Sequence, residues 1–222
     1  MNLARAFRKV VIDPFRYGFI GYDAERYWHD RYEKYRFALC GSGNEALGEY
    51  ENEAQYRKDT LRLGVLAGEA GVDWLTARVL DIGCGNGQYV KFCHQYGVKN
   101  YVGLDITDTL MPYLKRVYPD YAFVVGDCTG GDLAWSGFRA DVVLMIDVIE
   151  HIVSRKKLTQ AMDNARAALA PGGVFIVGPV LADSRKRLFY LHNWTAEDIM
   201  PGFEVKNRMP FKDGTLLALV AK

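Results

Sequence analysis

The chain has 222 residues, half of them hydrophobic and 25% charged, a globular composition that excludes a disordered or collagen-like polymer. Lys plus Arg is 28 against 27 for Asp plus Glu, and a net charge of +1 argues against a nucleic-acid partner. No apolar run approaches the roughly 20 residues of a membrane span, and the four cysteines (Cys40, Cys84, Cys93, Cys128) have neither CxxC nor zinc spacing, so the expected setting is cytoplasmic, with no integral membrane segment and no metal.

The first segment is basic, with Arg5, Arg8, Lys9 and Arg16 against Asp13, and reads as a terminal helix with solvated charges. Between Phe15 and Phe37 lie Tyr17, Phe19, Tyr22, Tyr27, Trp28, Tyr32 and Tyr35. Trp28, Tyr32 and Tyr35 fall at i, i+4 and i+7, on one face of a helix. That face is either core or the inside of a lid over a substrate. Gly41-Ser-Gly-Asn44 breaks the chain. A second helix is expected from Glu45 to about Ala70, with Leu47, Tyr50, Ala54, Leu61 and Val65 along its apolar side. Tyr50, Asn52 and Tyr56 would join the lid. Residues 1–75 thus read as a helical lid or extension of a single domain whose core is 76–222. The aromatic arm equally fits packing on a second subunit, a homodimer.

After residue 75 strands and helices alternate. Strands are expected at Arg78–Ile82, Asn100–Leu104, Ala122–Val125, Asp141–Ile146 and Val174–Val177. Helices are expected at Tyr89–Tyr96, Asp108–Val117 and Leu158–Leu169. The order predicts an α/β fold with a mostly parallel sheet covered on both faces. Phe203–Met209 and Thr215–Ala221, joined through Asp213-Gly214, predict a hairpin closing one edge.

The informative stretch is Val79-Leu-Asp-Ile-Gly-Cys-Gly-Asn-Gly87, which ends a strand and opens a helix. A dinucleotide fingerprint requires G-x-G-x-x-G, whereas here the glycines are Gly83, Gly85 and Gly87 and position 88 is Gln. Asp81, just before the first glycine, would lie poorly beside a pyrophosphate and would suit an amino group. Asp105 closes the next strand, where a carboxylate accepts from ribose hydroxyls. Asp127 closes the third and can accept from an exocyclic amine such as that of adenine. A ligand with an amine, a ribose and an adenine, and without phosphate, satisfies all three.

Asp81-x-Gly-x-Gly-x-Gly87, Asp105, Gly126-Asp127, Asp147-Val-Ile-Glu-His-Ile152 and Pro171-Gly-Gly173 together resemble a class I S-adenosylmethionine-dependent methyltransferase of the small-molecule type, close to the ubiquinone-biosynthesis group. The resemblance covers residues 76–222. It implies a Rossmann-like seven-stranded sheet in the order 3-2-1-4-5-7-6, with strand 7 antiparallel. It implies S-adenosyl-L-methionine as cofactor. Gly83, Cys84, Gly85 and Gly87 would hold its methionine part and Asp81 would orient its amino group. Asp105, with Ile106 beside it, would bind the ribose, and Asp127 with Cys128 the adenine. Met145 and Ile146 would lie alongside.

The implied reaction is methyl transfer to a small-molecule acceptor, foremost at a hydroxyl oxygen. His151 is the first candidate base, because histidine is poised near neutral pH and this one follows the fourth strand at the mouth of the site. His192 is the second, with Glu150 able to act on His151. His29 and His94 are weaker candidates. Arg185, Lys186 and Arg187 would suit an anionic acceptor, and the aromatic segments an aromatic one. A catalytically silent methyltransferase-fold binding protein and a nicotinamide-dependent dehydrogenase are the alternatives; Gln88 in place of glycine counts against the latter.

Overall fold

A computed structural model describes residues 7–18, 21–131 and 137–222. Arg5 and Phe19 lie outside the described residues. A central sheet contains seven strands: β1 (Arg78–Ile82), β2 (Asn100–Asp105), β3 (Ala122–Val125), β4 (Ala140–Ile146), β5 (Leu169–Val180), β8 (Phe203–Phe211) and β9 (Gly214–Ala221). Their order is β3-β2-β1-β4-β5-β9-β8. β3, β2, β1, β4 and β5 run parallel, and β9 is antiparallel to both neighbours. The last strand in sequence thus inserts between β5 and β8, as the resemblance implied. β6 (Arg185–Leu188) and β7 (Leu191–Asn193) form a separate small hairpin that the residue pattern did not announce.

The strands are apolar almost throughout because both faces are covered. Val79, Val142, Leu144, Val174 and Ile176 point into one core with Leu63, Leu66, Trp74 and Phe92. The alternate residues Leu80, Ile82, Val143, Met145 and Phe175 point into the other with Leu158, Ala161 and Ala165. The first core is covered by helices α4 (Glu49–Glu69), α5 (Gln88–Gln95) and α6 (Met111–Val117), the second by α7 (Arg155–Ala168).

Ahead of the sheet come a π-helical turn (Arg8–Ile12) and helices α1 (Asp13–Tyr17), α2 (Ala24–Tyr35) and α3 (Leu39–Ser42). They join the sheet through a third cluster, in which Tyr17 and Tyr27 pack against Tyr190 from the β6–β7 hairpin. Helix α4 corrects one expectation. Leu47, Tyr50, Leu61 and Val65 face outward, and the buried side carries Asn52, Tyr56, Asp59, Leu63 and Leu66. The buried polar groups have partners: Asn52 Oδ1 accepts from the Asn44 N–H at 2.9 Å, and its amide donates to the carbonyls of Asn44, Leu47 and Gly48. Hydropathy periodicity cannot select a face whose burial depends on such specific bonds.

Candidate active site

At the carboxyl ends of β1 to β4 lies a cavity of about 330 Å³. It sits between β1, which leads outward to β2 and β3, and β4, which starts the other half; such a switch point is where open parallel sheets take ligands. The glycine loop forms its floor. Gly83 has φ 79°, and a Cβ there would come within 2.3 Å of Val148 Cγ2. Gly85 has φ 49°, and a Cβ there would meet Ser42 Oγ at 2.9 Å and the Tyr32 hydroxyl at 3.0 Å. Both need glycine for the left-handed backbone and for the close approach of the next layer.

The loop's N–H groups are used by the protein itself. Gly83 and Cys84 donate to the Leu104 carbonyl, Gly85 to Asp105 Oδ2 at 2.9 Å, Asn86 to Ser42 Oγ at 3.2 Å and Gly87 to the Cys84 carbonyl. A pyrophosphate would need those donors. The loop therefore fits a ligand without phosphate, which disfavours the dehydrogenase alternative on geometry as well as on spacing.

Asp105 and Asp127 both line the cavity, as do Cys84, Ile106, Cys128 and Ile146. Asp105 Oδ1 accepts from the Thr107 N–H at 3.2 Å, and burial raises its carboxyl to about 6. Asp127 Oδ1 accepts from the Thr129 N–H and hydroxyl at 2.8 and 2.7 Å, and Lys157 Nζ is 3.7 Å from its other oxygen. That fixes the loop after β3, with Asp127 and Lys157 both lining the cavity. Carboxylates at these two strand ends, above a loop that offers no free N–H, fit the adenosine of S-adenosylmethionine.

Three expected contact residues lie behind the wall. Asp81 is buried in mid-sheet opposite Gly103, and its Oδ2 accepts from the Tyr101 hydroxyl at 2.6 Å. Burial, more than that bond, sets its carboxyl, which rises to about 7. Met145 is fully buried in the second core. Gly87 ends the loop at φ 86° and caps α5.

The roof is aromatic. Tyr22, Trp28 and Tyr32 line it from the α2 side, with Tyr56 from α4 and Tyr89 from α5. Of the stripe on α2, Trp28 and Tyr32 face the cavity, whereas Tyr35 turns to Glu45, accepted at 2.8 Å. Arg31 lies beneath, over the Trp28 ring at 5.0 Å, and donates to the Tyr27 hydroxyl and the Cys40 and Gly43 carbonyls.

His151 lies on the wall, in a 3₁₀ turn (Ile149–His151) after β4. Its Nδ1 is 3.1 Å from the Tyr190 carbonyl, which can only accept, so Nδ1 carries the proton and Nε2 is the free acceptor. The ring sits edge-on to Trp28 at 4.9 Å. Burial first, and the positive Arg31 next, push its pKa down to about 3, so it is neutral at physiological pH. His192 is elsewhere: it stacks on Trp194 at 3.7 Å, bonds the Asn193 carbonyl and does not border the cavity. His29 and His94 are exposed. Arg185, Lys186 and Arg187 are exposed on β6, with Arg185 paired to Asp183 and Arg187 to Asp213. Tyr89 and Lys157 are lining residues that motif reading did not single out, and Asp147, which opens a quoted motif, lines the cavity without having been given a role.

Known proteins are similar to this chain in sequence and fold. Residues 80–177 match a methyltransferase domain. A ubiquinone biosynthesis O-methyltransferase of Cereibacter sphaeroides is 33% identical over 102 residues, 45% of this chain and 39% of the relative. The chain thus spans well under half the length of that relative. The magnesium protoporphyrin IX methyltransferase of Synechocystis, solved with bound S-adenosylmethionine, superposes with a TM-score of 0.67 at 16% identity, over 91% of this chain and 99% of that one. An amino pentose methyltransferase of Micromonospora echinaspora gives a TM-score of 0.60 at 16% identity, over 79% and 98%. Likeness at that identity is likeness of fold. In its domain match, its curated relative and its sheet order the chain is similar to class I S-adenosylmethionine-dependent methyltransferases.

Proposed function

We propose that this chain transfers a methyl group to a hydroxyl oxygen of a small acceptor with an aromatic or apolar body. The observation that carries the reading is His151. It is neutral, its Nδ1 proton is held by the Tyr190 carbonyl, and it borders the same cavity as Asp105 and Asp127. The relative's name, an O-methyltransferase, supports oxygen as the acceptor atom.

Bound S-adenosylmethionine supplies a methyl group on a sulfonium, already a good leaving group. The chain's own task is placement and proton removal. Alignment alone supplies several kcal/mol, up to roughly 7–11 in favourable cases. Trp28, Tyr32 and Tyr56 are assigned to hold the acceptor's rings and to exclude water. His151 Nε2 is assigned to take the hydroxyl proton, which becomes acidic as the oxygen gains the methyl group, so a weakly basic imidazole suffices. Asp105 with Ile106 is assigned to the ribose, Asp127 with Cys128 to the adenine, and the loop from Gly83 to Gly87 with Ile146 to the methionine part. Asp81 is assigned a positioning role, bracing the loop through Tyr101.

A coupled assay for S-adenosylhomocysteine release over a panel of hydroxylated aromatics tests this. His151→Gln is expected to lower kcat by about 10²–10⁴ with the Kd for S-adenosylhomocysteine unchanged. Full activity in that variant would remove His151 from the chemistry. The homodimer is a separate proposal: Phe7 and Val10 face outward on the arm, and sedimentation of the full chain decides between one copy and two.

A further inference from the structure

At the side of the cavity where β4 ends, four charged side chains from three parts of the chain meet. Asp59 comes from α4, Asp147 and Glu150 from the β4–α7 loop, and Lys212 from the β8–β9 turn. Lys212 Nζ is 2.5 Å from Asp147 Oδ2 and 3.6 Å from Asp59 Oδ2. Two carboxylates thus pair with one ammonium, and Glu150 adds a third acid within reach of its charge.

Polar atoms here lack hydrogen-bond partners among the described residues: Asp59 Oδ2, Asp147 Oδ1, Glu150 Oε2 and the Tyr89 hydroxyl. Buried acceptors are almost always bonded, so each exception calls for a reason. Tyr89 is only 6% exposed, and both it and Asp147 line the cavity with Tyr56. Asp147 also holds φ 61°, unusual outside glycine, while its N–H donates to the Gly178 carbonyl at 2.9 Å. One carboxylate oxygen thus meets Lys212 and the other is buried without a hydrogen-bond partner, on a residue that lines the cavity.

We infer that this corner binds an ammonium group carried by the acceptor. Asp147 Oδ1 is its ion-pair partner and the Tyr89 hydroxyl a further acceptor. The rings of Tyr56 and Tyr89 suit a cation as well. A second positive charge balances the acids. Without it, burial and the neighbouring Asp147 raise the carboxyls of Asp59, to about 6, and of Glu150. The inference rests on the methyltransferase reading and narrows it: the acceptor is a hydroxylated amine, its hydroxyl toward His151 and its amine toward Asp147, two groups on one loop.

The test uses the full chain saturated with S-adenosylhomocysteine, which takes the cofactor's own amine out of competition. Tyramine, 4-ethylphenol and 4-hydroxyphenylacetate are titrated in by calorimetry. They share a ring and a hydroxyl and differ in carrying an ammonium, nothing or a carboxylate. Tyramine is expected to bind at least about tenfold more tightly than 4-ethylphenol, and 4-hydroxyphenylacetate most weakly. Asp147→Asn is expected to abolish the preference and Tyr89→Phe to reduce it, with 4-ethylphenol binding unchanged in both. No tyramine binding, equal binding of tyramine and 4-ethylphenol, or a preference that survives Asp147→Asn overturns the proposal. Loss of S-adenosylhomocysteine binding in Asp147→Asn overturns it too, by giving the corner to the cofactor's amine. If S-adenosylhomocysteine fails to bind the unaltered chain, the methyltransferase reading itself falls, and the proposal with it.

Discussion

Asp81→Asn separates a buried brace from a ligand contact. Asp81 is 1% exposed, and its carboxyl rises from 3.8 to about 7, chiefly through desolvation. Between those values the folded chain holds a proton that the unfolded chain has released. Folding therefore takes up a proton, and stability falls as pH rises through that window; below 3.8 and above 7 the contribution is flat. Three units at about 1.36 kcal/mol each give roughly 4 kcal/mol. Asparagine keeps an oxygen for the Tyr101 hydroxyl and removes the titration. Its buried amide adds a pH-independent penalty of about 1–3 kcal/mol. That penalty cancels when the variant's stability change at pH 8 is subtracted from that at pH 4. Urea unfolding of both chains at pH 4, 6 and 8 should show the variant gaining about 4 kcal/mol on wild type across the range. The Kd for S-adenosylhomocysteine should stay within about threefold. A stability difference that is the same at pH 4 and pH 8 would mean that Asp81 is ionised in the fold throughout. A tenfold loss of S-adenosylhomocysteine affinity would make it a direct contact.

Gly85→Ala places a methyl group between the loop, Ser42 and Tyr32 at a left-handed backbone position. The backbone penalty alone is about 1–2 kcal/mol, so the melting midpoint should drop by several degrees and S-adenosylhomocysteine binding should weaken. An unchanged midpoint and Kd would show that the roof does not rest on the loop. Lys212→Met leaves Asp147 and Asp59 without their ammonium, a loss of about 3 kcal/mol at pH 8. The loss should shrink toward pH 5, because Asp59, with its carboxyl raised to about 6, takes up a proton. A pH-independent loss would locate the effect in the contact of the lysine's ammonium with the Phe211 ring instead.

Much of the core was legible along the chain because its signals are local. Arg78–Ile82 and Asp141–Ile146 read as buried strands from apolar runs alone, and the glycine spacing from Gly83 to Gly87 counted against one class of ligand before any contact was known. Asp105 and Asp127 were placed at the site by their positions at strand ends, since a parallel sheet brings those ends to one edge. Other features are settled only by distant partners. Asp81 belongs to the same motif as Gly83, yet strand alternation and the Tyr101 hydroxyl, 20 residues away, turn it from the cavity into the sheet's interior. Helix α4 buries Asn52 and Asp59 rather than its more apolar side, because Asn44 bonds the first while Gln55 donates to the second and Lys212 offsets its charge. His151 and His192 are the first and second candidates along the chain. The Tyr190 carbonyl and Trp28 hold the first at the cavity wall, and stacking on Trp194 holds the second away from it. The sequence by itself determined the sheet, the loop and the cofactor class, because each depends on neighbours in the chain. The tertiary structure alone decided which polar groups face the cavity, because a buried polar side chain points toward whichever distant atom completes its bonds.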